Sequence, residues 1–114
     1  MKVYLAYNKR DERCFTEMEK AIDGIIKDVQ KLEDVGEFLE SVLDISRKQN
    51  LVGGEWQTEY YELCLAWGGP GIWMRTDGVI KGAWWGDYVE IRVENKRFRD
   101  KLNEIEEYLD EVFS

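Results

Sequence analysis

Three turn signals, Gly68-Gly69-Pro70-Gly71, Thr76-Asp77-Gly78 and Gly86-Asp87, divide residues 59–93 into four short runs rich in β-branched and aromatic side chains. That punctuation predicts a four-stranded antiparallel meander. It also fixes the expected faces, because hairpin register decides which side chains share a side of the sheet. A four-residue loop at 68–71 pairs Trp67 with Ile72 and Leu65 with Met74. A three-residue loop at 76–78 pairs Arg75 with Val79 and Met74 with Ile80, with Gly78 at positive φ. A Gly86-Asp87 turn pairs Trp85 with Tyr88 and Trp84 with Val89.

Followed through the three turns, one face collects Tyr61, Leu63, Leu65, Trp67, Ile72, Met74, Ile80, Gly82, Trp84, Val89, Ile91 and Val93. The reverse face collects Tyr60, Glu62, Cys64, Ala66, Trp73, Arg75, Val79, Lys81, Ala83, Trp85, Tyr88, Glu90 and Arg92. A two-residue Asp77-Gly78 turn would instead put Arg75 among the apolar side chains, and burying an unpaired guanidinium costs several kcal/mol. The three-residue loop is the consistent reading. On it, Trp67 and Trp84 belong to the core.

The flanking segments supply the layer that covers the apolar face. Lys2 to Tyr7 alternates as a strand, with Val3, Leu5 and Tyr7 on one side, and takes an edge position in the sheet. From Asp11 to Glu33 apolar residues recur at intervals of three and four, which is an amphipathic helix, with Gly24 inside it a place for close packing on the sheet. Asp34 with Glu37 resembles a cap for a second helix running to about Lys48, with Val35, Phe38, Leu39, Val42, Leu43 and Ile45 buried. Residues 49–57 read as a loop, and a last helix follows Glu94-Asn95 with Phe98, Leu102, Ile105 and Leu109 as its stripe. The order is β-α-α-β-β-β-β-α: an α+β two-layer sandwich, a four- to five-stranded mainly antiparallel sheet (meander 59–93) with helices on one face. At 114 residues the chain is one domain, 1–114.

Composition bounds the chemistry. There is no histidine, which removes the usual general base, the usual zinc ligand and every Ser-His or Cys-His dyad. Glu104, Glu107 and Glu111 share a helix side and read as a solvated acidic stripe. The Gly68–Gly71 stretch joins two strands, so turn chemistry explains it better than a phosphate cradle, which ends on a helix N-terminus. Paired carboxylates of the glycosidase kind are undefined in spacing. We expect no cofactor, no metal and no enzymatic activity.

The formal charge of −8 argues against direct nucleic-acid binding and toward a basic protein partner. No apolar run reaches the roughly 20 residues of a membrane span, the N-terminus is too short in apolar residues for a signal peptide, and Cys14 and Cys64 lack metal or redox spacing. A cytoplasmic location is expected. Trp73, Arg75, Lys81, Trp85, Tyr88 and Arg92 on the polar face of the meander are the candidate partner-binding residues, since aromatics with arginine make interaction hot spots. The expected function is an acidic protein-binding module, with inhibition of a basic nucleic-acid-processing protein as its specific form. The alternative is a small-molecule or peptide pocket between sheet and helices.

Overall fold

The computed structural model describes residues 2–113. In chain order they form β1 Lys2–Asn8, α1 Glu12–Gln30, α2 Val35–Glu40, β2 Asp44–Val52, β3 Glu55–Ala66, β4 Gly71–Arg75, β5 Val79–Trp84, β6 Asp87–Val93 and α3 Lys96–Val112. Each helix begins where a short polar side chain satisfies its free N–H groups. Asp11 accepts from the amides of Arg13 and Cys14, Asp34 from Glu37, and Asn95 from Phe98. The result is an α+β two-layer fold with an antiparallel sheet of six strands in the order β1-β6-β5-β4-β3-β2.

The core lies on one side of that sheet. Phe15, Met18, Ile22, Ile26 and Val29 of α1 and Phe98, Leu102, Ile105 and Leu109 of α3 meet Tyr61, Leu63, Ile72, Met74, Ile80, Val89, Ile91 and Val93. Burying each such aliphatic or aromatic side chain contributes about 1.5–3 kcal/mol. Helix and sheet approach closely at Gly82, where an added Cβ would stand 2.9 Å from Met18 Cγ. Gly24, the position expected to serve that purpose, faces open space.

Two parts of the chain differ from the sequence reading. The second helix ends at Glu40, and residues 44–52 are an edge strand paired with β3 through a Gly53-Gly54 turn. Apolar residues at 38, 39, 42 and 45 suit a helix by spacing. Yet Ile45 reaches the core from β2, and Leu43 continues the ladder by donating its N–H to Cys64 O at 2.9 Å. Beyond the pairing of β4 with residues 62–66, β2 and β3 run on as a two-stranded ribbon. Both of its sides are wet, and in β2 the unbroken polar run Ser46 to Asn50 leaves no alternation of apolar and polar residues for the sequence to display.

The second difference is in register. Met74 pairs with Leu63, not Leu65, and Gly82 with Val89, not Trp84. Both slips are of two residues, which leaves every side chain on its expected face because the side-chain period of a strand is two. A bulge between Cys64 and Ala66 is different. It inserts one residue, so parity reverses beyond it and Trp67 swings out of the core to the opposite face, 74% exposed. A similar shift at Leu5 turns Tyr4 and Tyr7 toward α1, where Tyr4 hydrogen-bonds Glu19 and Tyr7 meets Phe15 edge-on at 6.1 Å. β1 does take the edge position, beside β6.

Candidate functional site: the aromatic end of the open sheet face

The three helices pack on the core side, and among the described residues the reverse face of the sheet is covered by its own long side chains. Cys64, paired with Trp73, and Val79, paired with Arg92, are buried there. The six expected partner-binding residues all belong to this face or its rim, but the structure divides them into two groups.

Arg75, Lys81 and Arg92 form an ion-pair lattice. Lys81 Nζ lies 2.8 Å from Glu62, Arg92 Nε 3.3 Å from Glu94, and Arg75 pairs with Asp77 while its guanidinium covers the Tyr60 ring at 4.0 Å from the ring centre. Their charges are matched within the sheet. The Arg92–Glu94 pair is exposed and contributes little stability, the other two are half-buried, and a cation already held by a carboxylate is a weaker anchor for a partner.

Trp73, Trp85 and Tyr88 lie toward the other end, where the loop 67–70 and the turn 85–86 project side by side. Trp73 leans along its strand over Gly71, whose added Cβ would stand 2.7 Å from the far edge of the ring. There it meets Trp67 edge-on at 5.9 Å. Trp67 is a site residue that sequence reasoning assigned to the core. Nothing in the local pattern marks the bulge that turns it outward. Tyr88 donates its hydroxyl to Glu90 at 2.8 Å, and burial together with that bond pushes its pKa up to about 12. It stays a neutral phenol across the physiological range.

Trp85 is the unusual residue. The turn is Trp85-Gly86, one residue earlier than expected, with Trp84 paired to Asp87. Both turn residues have positive φ, 51° at Trp85 and 85° at Gly86, as a type I′ hairpin requires. Asn and Gly suit such a position, whereas a bulky side chain there is strained by about 1–2 kcal/mol. Trp85 is also 80% exposed, so its indole recovers no burial energy.

The surroundings hold this conformation in place. Asn8 Nδ2 donates to Gly86 O at 3.0 Å, and Arg10 lies against Gly86. The carboxylate of Asp87, 1% exposed, accepts from the amides of Arg10 at 2.6 Å and Asp11 at 3.1 Å. One carboxylate thereby ties the turn to the start of α1. Between this turn and Gly68-Gly69 lies a shallow recess of about 730 Å³, open to solvent and floored by Ala83 and Tyr88. The arrangement offers flat apolar surfaces and indole N–H donors on rigid supports, which is the chemistry of binding. Among the described residues no three acids or cysteines group as a metal site, and no helix is long and apolar enough to cross a membrane. The chain matches no protein-family model, no curated protein and no solved structure.

Proposed function

We propose that this chain is a cytoplasmic, non-enzymatic, acidic protein-binding module that holds its partner at the aromatic end of the open sheet face. The observation that carries the reading is Trp85: a large apolar side chain kept exposed, in a backbone conformation that costs stability, on a turn braced from three directions. Strain held in place by its surroundings is a mark of a functional position. Trp67, Trp73 and Tyr88 extend the same surface.

Charge supports a basic partner. Residues 11–44 hold eleven acids against four bases, so most of the −8 sits on the stretch that carries the first two helices and their caps. Only the start of α1 comes near the aromatic end, where Asp11 and Glu17 line a recess with Trp84, and the effect of the field falls chiefly on the rate and orientation of encounter. Inhibition of a basic, nucleic-acid-processing protein is the specific form that charge and size favour. The pocket alternative between sheet and helices draws less support, because that space is filled by Met18, Ile22, Met74, Ile80 and Phe98.

Capture of binding proteins from the native host tests the reading. Trp73→Ala with Trp85→Ala should abolish capture while the circular dichroism spectrum is unchanged, and capture at the parent level refutes the proposed surface. Asp28→Lys with Glu33→Lys should slow association and flatten its salt dependence, leaving dissociation nearly unaltered.

A further inference from the structure

The cleft beside Trp85 has a lining that selects among partners. In a chain with 35% charged residues, its one carboxylate is Asp87 and it has no cation. The Asp87 oxygens face the amides of Arg10 and Asp11. The nearby Asn8 amide is held by Gly86 O. What remains is an open recess whose own lining carries no free charge, with glycine backbone on one side, an indole on the other, Tyr88 and Ala83 beneath, and the Arg10 guanidinium only at its edge against Gly86. The Trp85 indole N–H has no hydrogen-bond partner among the described residues and is open to solvent.

Each ligand class asks something different of such a slot. A sugar needs several side-chain donors and acceptors around its rim, and the amide and carboxylate at hand are already engaged in the turn. A nucleic acid brings phosphates into the field of a −8 protein. A proline-rich segment in the polyproline II conformation is uncharged and flat-sided. Its prolines lack N–H groups, and its carbonyls accept from indole donors. It is also preformed, so little order is lost on binding.

We propose that the cleft between Gly68-Gly69 and Trp85-Gly86 binds a proline-rich, polyproline II segment. The proposal rests on the protein-binding reading above and names what the partner presents at this site.

The test is a titration of isotope-labelled protein with an uncharged oligoproline peptide, following the indole N–H resonances. Trp85 and Trp67 should shift saturably. Trp56, at the far end of β3 and roughly 35 Å away at strand rise, should not move. Trp85→Asn, which suits the turn and so keeps the fold, should weaken binding about tenfold or more, as should Trp67→Ala. A Gly-Ser peptide of equal length should leave the spectrum unchanged. The proposal is overturned if oligoproline shifts nothing, if Trp56 moves as much as Trp85, or if a neutral oligosaccharide binds where oligoproline does not. Should oligoproline fail while host-protein capture still depends on Trp85, the proline assignment falls and the protein-binding reading stands. Loss of both ends both.

Discussion

Two hairpins of this sheet reverse direction on a pair of residues with positive φ, and they are made of opposite materials. At the ribbon tip the pair is Gly53-Gly54, φ 58° and 84°, with nothing within 4 Å of where a Cβ would stand on either. At the aromatic end it is Trp85-Gly86, pressed by Arg10 and bonded by Asn8. The residue after each turn is acidic. Glu55 is exposed and faces solvent, whereas Asp87 is buried and holds the start of α1. The same turn geometry is thus relaxed in one place and forced in the other. A strained, exposed indole persists where tertiary contacts over-determine the backbone, and an isolated ribbon has no such contacts to offer.

The comparison breaks most visibly at the acids. Asp87→Ala leaves two amides without their acceptor and should cost about 2–3 kcal/mol in denaturant unfolding. Glu55→Ala should stay within about 0.5 kcal/mol. Equal effects would show that Asp87 does not anchor the turn. Next in size is an exchange of turn residues. Trp85→Asn should raise stability by about 1 kcal/mol while weakening partner capture, and Gly53→Trp should lower stability by a similar amount. A stability loss in Trp85→Asn would mean that the indole is a structural residue.

A smaller effect tests the phenol beside that indole. The pKa of Tyr88 is pushed up to about 12, first by burial and then by its bond to Glu90. The fold favours the neutral form. The stability from this group is therefore complete below about pH 10, the unfolded value, and is lost as pH rises through about 12. Tyr88→Phe should remove one high-pH tyrosinate step from an absorbance titration and cost less than about 1 kcal/mol. Tyr4, raised to about 12 chiefly by its hydrogen bond to Glu19, supplies another such step that the variant leaves in place. The smallest change is expected at the ribbon. Leu51 and Trp56 face each other across it, the indole 67% exposed, so Leu51→Ser or Trp56→Ser should shift stability by no more than about 0.5 kcal/mol. Amides around the tip should exchange far faster than those of β5 and β6.

Some of the site was legible before the fold was known. Trp73, Trp85 and Tyr88 were placed on or beside the open face because alternation in β4 and β6 is strict, and Gly78 was rightly assigned positive φ. Arg75, Lys81 and Arg92 were placed correctly too, but their carboxylate partners were not foreseen. Glu62 meets Lys81 only through the way β3, β4 and β5 stack side by side. Trp67 lies on the face opposite to the one its alternation predicts, since a bulge is a one-residue slip with no signature in composition. Strand β2 reads as helix and loop in the sequence, because its polar run Ser46 to Asn50 lacks the periodicity that reveals a buried strand.

Sequence alone determined the features that repeat every two or every three to four residues, the inner face of β4 to β6 and the stripes of α1 and α3, together with the helix starts at Asp11 and Asp34. Those survive errors of register, because a slip of two residues moves no side chain across a sheet. Tertiary structure decided where parity breaks and which turn residue bears strain. Both depend on energies set by neighbouring strands and by the Asp87 anchor, which come from parts of the chain far apart in sequence and act together only once the layers have closed.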